Sequence, residues 1–178
     1  MDQSKILYTA EQIRTRVQEL AQQIAQDYKG KNPVLIGILN GSYIAMADLT
    51  RALYKEGLKD VGVDFLSVSS YGSGTEYSGT STVTGDIRKE ISGRDVLVVE
   101  DIIDTGHTLK FIKEYLEKKN PSSLKIFAVL DKKEKRETEV PVDYIGFTIT
   151  GTPWVEGYGL DGGEYGRGRS DIAEKITS

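Results

Sequence analysis

Apolar residues near the start of the chain recur every three or four positions. The positions concerned are Ile13, Val17, Leu20 and Ile24. This spacing puts them on one face of a helix, and the Thr9 to Gln12 pattern ahead of them fits a capping box. The pattern predicts an amphipathic helix over residues 10–28, whose apolar stripe belongs to the core.

Further along the chain, apolar residues form short runs that are rich in β-branched side chains. Such runs are typical of strands buried on both faces of a sheet. They predict strands at residues 34–39, 61–69, 95–99, 124–130 and 144–149, with helices at residues 44–55 and 105–119. This alternation predicts an α/β fold with a parallel, doubly wound (Rossmann-like) sheet flanked by helices. Ligands of such sheets bind at the carboxyl ends of the strands.

Three segments depart from this alternation. Residues 70–84, SYGSGTEYSGTSTVT, are dominated by Gly, Ser and Thr, so we expect a mobile excursion there. Residues 131–139 are almost wholly charged, which is usual for a solvated loop. From Gly151 onward the density of Gly rises sharply, which indicates an ordered loop wrapped around a ligand.

The composition narrows the class of protein. A length of 178 residues with 38% hydrophobic residues predicts a single domain over residues 1–178. The net charge of −4 argues against a protein built to bind nucleic acid. The chain shows neither a long apolar run nor a signal-peptide pattern, so we expect a cytoplasmic protein without membrane association. With no cysteine and His107 as the one histidine, any metal ion has to be held mainly by oxygen ligands.

One segment, residues 98–109 with the sequence VVEDIIDTGHTL, has the residue types that suit a sugar phosphate. A helix that begins directly after a strand presents backbone amides and a positive partial charge to a phosphate group. Gly106 permits close approach of the ligand, and the hydroxyls of Thr105 and Thr108 can add hydrogen bonds. The segment therefore predicts an anion-binding turn.

Three acidic residues lie in the same segment. Glu100 and Asp101 can hold ribose hydroxyls or a hydrated magnesium ion, because hard cations prefer oxygen ligands. Asp104, nearer the turn, could reach a reacting base. The alternative is that Asp104 caps the following helix and that the acidic pair lies on the surface. By themselves these residues fit several kinds of nucleotide or sugar-phosphate protein.

Residues 98–109 resemble the phosphoribosyl diphosphate motif of type I phosphoribosyltransferases, in the form that hypoxanthine-guanine enzymes use. The similarity covers nearly the whole chain. Three further segments match the family in its own order: the diphosphate loop Leu39-Asn40-Gly41-Ser42, the start of the flexible catalytic loop Ser70-Tyr71, and the purine-binding end formed by Trp154-Val155 and Gly157-Tyr158-Gly159-Leu160-Asp161. Four matches in this order make the resemblance specific.

The resemblance implies a set of contacts to phosphoribosyl diphosphate. Glu100 and Asp101 would contact the ribose hydroxyls and Mg²⁺, while residues 104–108 would hold the 5′-phosphate. Asp104 would be the catalytic base facing purine N7, and Tyr71 would belong to a lid that excludes water. The implied contacts to phosphoribosyl diphosphate are Leu39, Asn40, Gly41, Ser70, Tyr71, Glu100, Asp101, Asp104, Thr105, Gly106, His107 through its backbone, Thr108 and Arg167.

The resemblance also implies a purine site. Lys132 matches the lysine that donates to the 6-oxo group and so favours hypoxanthine and guanine over adenine. Trp154 matches the aromatic residue that stacks on the purine, with a position in the core as the alternative. Val155 would read the ring edge through its backbone. The implied purine contacts are Ile102, Asp104, Lys132, Trp154, Val155 and Asp161, and the implied metal ligands are Glu100, Asp101 and Asp161.

The activity that follows from the resemblance is purine salvage. The 5-phosphoribosyl group would pass from phosphoribosyl diphosphate to hypoxanthine or guanine, giving IMP or GMP and diphosphate, with Mg²⁺ as the cofactor. The family further implies a small hood built from the terminal segments, and assembly as a homodimer or homotetramer.

Two positions depart from the family's pattern. Asn40 stands where many relatives have lysine, and Gly162 stands where an aromatic residue is frequent, which puts one diphosphate contact and the shape of the purine pocket in doubt. Two other functions stay open. One is a regulatory protein that senses phosphoribosyl diphosphate and binds nucleic acid, against which the acidic charge and the joint presence of Tyr71, Asp104 and Lys132 argue. The other is an enzyme for xanthine, adenine or a pyrimidine.

Overall fold

The computed structural model describes residues 3–71, 77–163 and 165–176, without the side chains of residues 3, 70, 71 and 77–80. The helices in these ranges are α1 (Ala10–Asp27), α2 (Tyr43–Lys55) and α3 (His107–Glu117). The strands are β1 (Gln3–Tyr8), β2 (Val34–Leu39), β3 (Gly62–Tyr71), β4 (Tyr77–Gly85), β5 (Asp95–Ile103), β6 (Ser123–Asp131), β7 (Tyr144–Thr148), β8 (Val155–Glu156) and β9 (Ile172–Ile176). A 3₁₀ turn spans Lys133–Lys135.

The main sheet has six strands in the order β4-β3-β2-β5-β6-β7. All neighbours pair in parallel except β3 and β4, which are antiparallel. Leu35 and Leu97 point to the face that packs against α1 and α2, while Ile36 and Val98 belong to the cluster that includes α3. Because side chains alternate along a strand, apolar residues at consecutive positions fill both faces of the sheet. The predicted parallel, doubly wound α/β fold is confirmed.

A second sheet of three strands, in the order β1-β9-β8, brings the two ends of the chain together. It matches the hood that the family resemblance implies. Val155 and Ile172 of this sheet lie in the same buried cluster as α1 and α2, and the rings of Tyr8 and Phe147 stack with their centroids 4.0 Å apart. The single-domain assignment of residues 1–178 stays a prediction, and this shared apolar cluster supports it.

The mobile excursion expected over residues 70–84 is wrong for its second half. Residues 77–85 form β4, which pairs antiparallel with β3 at the edge of the main sheet. Val83 packs against the apolar cluster on the α3 side of the sheet. Threonine is a good strand former, and an edge strand tolerates glycine and serine where a central strand does not. A composition typical of loops therefore led to the wrong prediction. Residues 72–76 of the expected lid lie outside the described residues.

The solvated loop expected over residues 131–139 is wrong only in part, because residues 133–135, 137 and 139 are exposed whereas the start of the segment is not. Asp131 and Lys132 are buried, and Asp131 forms a buried salt bridge of 3.0 Å with Arg136. A run of charges can be buried where opposite charges pair across a tight turn, and composition alone does not reveal that pairing.

The boundaries of other predicted elements differ from those in the structure by a few residues. β5 runs on to Ile103 and thus includes the acidic pair, while α3 begins at His107 because Gly106 has a positive φ of 91°. The strand β9 in the terminal segment was not predicted separately. Among the described residues, no helix has the length and apolarity needed to cross a membrane.

Candidate active site

The predicted site residues meet at one edge of the main sheet. Strands β2, β5 and β6 are adjacent and parallel, so their carboxyl ends at Leu39, Ile103 and Asp131 lie at the same edge. The segments that follow these strands carry the diphosphate loop, the anion-binding turn and Lys132. This is the edge at which an open α/β sheet binds its ligands.

The acidic pair lies near the end of β5. Glu100 is 7% exposed, and its Oε1 accepts a hydrogen bond of 3.1 Å from the backbone N–H of Asp101. The Asp101 Oδ1 in turn accepts a hydrogen bond of 2.8 Å from the N–H of Ile102. Burial raises the pKa of Glu100 well above its usual range, and the negative charge of Asp101 adds to this effect. A cation or a hydroxyl donor placed here would relieve the repulsion between the two carboxylates.

The diphosphate loop and the purine-binding end both lie against this pair. A Cβ atom at Gly41 would lie 1.7 Å from the Oδ2 of Asp101, and one at Gly159 would lie 2.0 Å from the carbonyl oxygen of Gly41. Only glycine fits at positions where backbone approaches other groups this closely. The peptide bond between Leu39 and Asn40 is cis. Three segments that are distant in sequence therefore converge within contact distance.

The anion-binding turn joins β5 to α3. Gly106, which has no side chain to cap the helix, is the N-cap of α3. The alternative in which Asp104 caps α3 is wrong, because one of its oxygens accepts a hydrogen bond from Lys135 and the other has no partner among the described residues. Residues 137–138 hold the turn in place, because the carbonyl oxygen of Thr105 accepts hydrogen bonds from the backbone N–H groups of Glu137 and Thr138 at 2.9 and 3.0 Å. The helix N-terminus thus keeps the geometry that binds a phosphate.

The side chain of His107 also contacts residues 137–138, which hold the anion-binding turn in place. Its Nε2 lies 2.9 Å from Oε2 of Glu137, and its Nδ1 lies 3.0 Å from Oγ1 of Thr138. A Cβ atom at Gly106 would lie 2.4 Å from the carbonyl oxygen of Thr138. The ring of His107 therefore packs the turn against residues 137–138, in keeping with the expectation that only its backbone contacts the ligand.

The two carboxylate oxygens of Asp104 differ in their hydrogen bonding. Its Oδ2 accepts a hydrogen bond of 2.8 Å from the Nζ of Lys135. Its Oδ1 is buried and has no hydrogen-bond partner among the described residues. A buried acceptor without a partner costs about 1–3 kcal/mol, so such an atom marks a place where a donor is expected. Lys135 is a residue that the sequence reasoning missed, since it stood in a run of charges.

Lys132 lies beside this carboxylate. It is 6% exposed and forms no salt bridge with a described carboxylate. Burial lowers the pKa of the Lys132 ammonium, whereas the charge of Asp104 acts in the opposite direction. A buried lysine that forms no salt bridge is rare and is a good donor for a carbonyl oxygen of a ligand.

The hood contributes Trp154 and Val155. Trp154 is 54% exposed, so its alternative placement in the core is wrong, while Val155 is buried in β8. The following Tyr158 is buried and donates a hydrogen bond of 3.0 Å to Asp48 of α2. This contact attaches the glycine-rich turn, which contains Gly157 and Gly159, to α2.

Asp161 and Arg167 are paired with each other. The Nη2 of Arg167 lies 2.5 Å from Oδ2 of Asp161, and its Nη1 donates to the carbonyl oxygen of Gly159 at 2.7 Å. The resemblance assigns Asp161 to a metal ion and Arg167 to diphosphate, and both roles stay predictions. A Cβ atom at Gly162 would lie 2.2 Å from Oε2 of Glu156. The Glu156 side chain therefore occupies the space that a larger residue at position 162 would need.

The side chains of Ser70 and Tyr71, which the resemblance assigns to the catalytic loop, lie outside the described residues. Asn40 and Ile102 are placed beside the acidic pair by the backbone of their segments. The structure thus brings together the predicted residues of the diphosphate loop, the anion-binding turn, the acidic pair and Lys132.

A helix with a glycine N-cap directly after an acidic strand end, on a mostly parallel sheet with a terminal hood, is the architecture of a phosphoribosyltransferase. The family model described as Phosphoribosyl transferase domain matches residues 3–161, and the chain belongs to this family.

Its relatives specify the subgroup. The chain is 46% identical to the hypoxanthine-guanine phosphoribosyltransferase of Dictyostelium discoideum, over 88% of this chain and 87% of that protein. It is 43% identical to the hypoxanthine-guanine phosphoribosyltransferase of Aquifex aeolicus, over 94% of this chain and 92% of that protein. A solved structure of Trypanosoma cruzi hypoxanthine phosphoribosyl transferase superposes with a TM-score of 0.91 at 41% identity, covering 99% of this chain and 93% of the other.

Proposed function

We propose that the chain catalyses purine salvage by magnesium-dependent transfer of the 5-phosphoribosyl group from phosphoribosyl diphosphate to hypoxanthine or guanine. The observation that carries this proposal is that two buried groups lie together beside the anion-binding turn: Asp104 Oδ1, without a hydrogen-bond partner among the described residues, and Lys132. A 6-oxopurine offers an N–H group for the first and a carbonyl oxygen for the second. The relatives' names point to the same substrates.

The ribose phosphate fits the strand end and the turn. The N-terminus of α3, with its glycine N-cap, and the hydroxyls of Thr105 and Thr108 suit the 5′-phosphate. Glu100 and Asp101 suit the ribose hydroxyls, because carboxylates accept hydrogen bonds from them. The close approach of Gly41 to Asp101 places the backbone of the diphosphate loop next to the carboxylate that we assign to the ribose.

The acidic pair also suits Mg²⁺. No group of three or more His, Cys, Asp or Glu side chains that could hold a metal ion occurs in the described part of the chain. Mg²⁺ commonly takes one or two carboxylates from a protein and its remaining oxygens from phosphates and water, and Glu100 with Asp101 supply such a pair. When bound, Mg²⁺ neutralises the charge that develops on the departing diphosphate.

The base chemistry falls to Asp104. As purine N9 forms its bond to ribose C1′, the bond from C1′ to the diphosphate oxygen breaks. The purine loses the proton on N7, and the Oδ1 of Asp104 is the acceptor that the site offers for it. A bound purine would thereby satisfy the one buried side-chain polar atom that lacks a partner among the described residues.

Lys132 and Trp154 select and hold the base. The ammonium of Lys132 donates to a 6-oxo group, whereas the 6-amino group of adenine would set donor against donor. The exposed ring of Trp154 offers a face for stacking on the purine. These contacts favour hypoxanthine and guanine, and they leave xanthine as a substrate to be tested.

Further parts of the proposal rest on the family resemblance. They are the lid with Tyr71, the metal contact of Asp161, the diphosphate contact of Arg167, residence in the cytoplasm, and assembly as a homodimer or homotetramer.

An assay with phosphoribosyl diphosphate, Mg²⁺ and each purine in turn tests the proposal. We expect spectrophotometric turnover with hypoxanthine, guanine or both, none with adenine, and loss of turnover after chelation of the metal. The absence of turnover with every 6-oxopurine would refute it. Retention of nucleic acid at physiological salt without purine turnover would favour the regulatory alternative instead.

A further inference from the structure

We infer that Lys135 is a positioning residue of the transferase: it holds one oxygen of Asp104, so that the other oxygen faces the purine. The inference rests on the proposed function, in which Asp104 is the base. Nothing in the motif of residues 98–109 points to Lys135, which lies 31 positions further along the chain.

The first argument comes from the carboxylate itself. Rotation about the last bond of an aspartate side chain is broad and nearly two-fold, so a free carboxylate has no fixed plane. In Asp104 the Oδ2 is fixed by the Lys135 ammonium at 2.8 Å, and the Oδ1 has no partner among the described residues. The contact therefore defines which oxygen is left for a substrate proton.

The second argument is how the chain delivers Lys135 to this place. The turn Lys133–Lys135 is a 3₁₀ turn in which the N–H of Lys135 donates to the carbonyl oxygen of Lys132 at 2.9 Å. Side chains three positions apart in such a turn eclipse each other. Lys132 directly precedes this turn, and both lysines act on Asp104: Lys135 through its hydrogen bond, and Lys132 through the attraction between the two charges.

A buried salt bridge holds the ends of this turn together. Arg136 donates from Nε and Nη2 to Oδ1 of Asp131 at 3.2 and 3.0 Å, and from Nη1 to the carbonyl oxygen of Val140 at 3.4 Å. The side chains of Arg136 and Asp131 are 8% and 5% exposed. Removal of one partner from a buried pair of this kind leaves an uncompensated charge, so the two side chains stay together in the folded chain. This pair fixes the backbone from which both lysines project.

The two lysines then have separate tasks. Lys132 is buried and forms no salt bridge with a described carboxylate, which leaves its ammonium for a ligand carbonyl. The Lys135 side chain is 42% exposed, so its ammonium stays in contact with solvent while it binds Asp104. An ion pair at this exposure adds little to stability, and its effect should show in the reaction.

Replacement of Lys135 by methionine tests the inference, with Lys133→Met as the matched control. Lys133 lies in the same turn, loses the same charge and has an exposed side chain without a salt bridge among the described residues. We expect Lys135→Met to lower kcat with hypoxanthine about three- to tenfold, the range for a partly exposed charge-assisted contact, with little change in KM for phosphoribosyl diphosphate. Lys135→Arg should restore most of the turnover, and Lys133→Met should match the wild type.

A double-mutant cycle with Asp104→Asn separates a positioning role from a general one. If Lys135 acts through Asp104, Lys135→Met should change kcat by less than about twofold in the Asp104→Asn background. An equal loss in both backgrounds, or no loss in the wild-type background, would refute the role of Lys135 and leave the proposed function intact. Full activity of Asp104→Asn would instead refute the role of Asp104 as the base.

Discussion

The two ends of the main sheet carry similar side chains in opposite states. At the amino ends of β6 and β7, the hydroxyl of Tyr144 and the ammonium of Lys125 donate to one oxygen of Asp27 at 2.5 and 3.0 Å. Lys125 also lies over the ring of Tyr144, 5.4 Å from its centroid. At the carboxyl ends, Asp104 keeps a buried oxygen without a partner among the described residues, and Lys132 is buried with no salt bridge to them.

This difference in charge pairing indicates that the amino ends of the strands stabilise the fold and that the carboxyl ends bind a ligand. A cluster in which each charge meets its partner stabilises the folded chain, and it offers little to a ligand. A cluster with an unsatisfied acceptor and an ammonium that forms no salt bridge costs stability, by about 1–3 kcal/mol for the acceptor alone, until a ligand supplies the partners. We therefore expect substitutions at the two ends to separate activity from stability.

The largest effect is expected for Asp104→Asn. Asparagine keeps the shape but cannot accept the purine proton, so turnover should fall about 10²–10⁴-fold, the usual contribution of general acid-base catalysis. The free energy of unfolding should change by less than about 0.5 kcal/mol, because the lost pair with Lys135 is partly exposed. Steady-state kinetics and thermal unfolding of the same preparation measure both. Unchanged turnover would remove Asp104 from this role.

Lys132→Met should have the second largest effect. It removes a charged donor to the 6-oxo group, and the loss of such a hydrogen bond, about 1.5–3 kcal/mol, lowers kcat/KM for hypoxanthine about 10–100-fold. The ratio of kcat/KM between hypoxanthine and adenine should fall with it. Lys133→Met is the control and should leave the ratio unchanged. A ratio that stays constant in Lys132→Met would show that discrimination lies elsewhere.

A smaller effect is expected for Trp154→Ala. Stacking of a base on an aromatic ring contributes about 1–3 kcal/mol, and since Trp154 is half exposed we expect the lower part of that range, a rise in purine KM of about five- to tenfold. Trp154→Phe keeps a stacking face and should stay close to the wild type. Equal KM values for the alanine variant and the wild type would exclude stacking as its role.

The smallest effect, and one on stability alone, is expected at the opposite end of the sheet. The hydrogen bond from Tyr144 and then the contact with Lys125 hold the pKa of Asp27 below its ordinary value of 3.8. Asp27→Asn should lower the free energy of unfolding by up to about 1 kcal/mol, the size of a partly exposed pair, with turnover unchanged.

The pH dependence of this effect has a definite sign. A carboxyl group whose pKa is lowered in the folded state stabilises the protein above its unfolded pKa and loses that contribution as pH falls through the folded pKa. The difference in unfolding free energy between wild type and Asp27→Asn should therefore be constant at neutral pH and shrink in acid below 3.8. A difference that grows in acid would contradict the assignment.

Local patterns predicted the centre of the fold well. The run over residues 34–39 coincides with β2, and the capping box at Thr9 is formed with both of its hydrogen bonds. These features depend on neighbours in sequence, through burial on both faces of a strand or through contacts within one helical turn. The strand-turn-helix of residues 98–109 is of the same kind, and its acidic and glycine positions could be read directly.

Contacts between distant segments could not be read in this way. Lys135 meets Asp104, and Arg136 folds back onto Asp131, only because a tight turn sits beside the end of β5. The charged run predicted neither contact, since composition does not specify which charges pair. β4 was missed for a related reason, because an edge strand is stabilised by its pairing with β3 more than by its own apolar residues.

Hydrogen exchange of the wild-type chain with and without phosphoribosyl diphosphate and Mg²⁺ tests most directly whether the carboxyl ends of the strands form the ligand site. We predict slower amide exchange in residues 39–42 and 100–109, and no change in residues 123–126 and 143–146 at the opposite end. Protection at the amino ends of the strands, or no protection at the carboxyl ends at saturating ligand, would contradict the account.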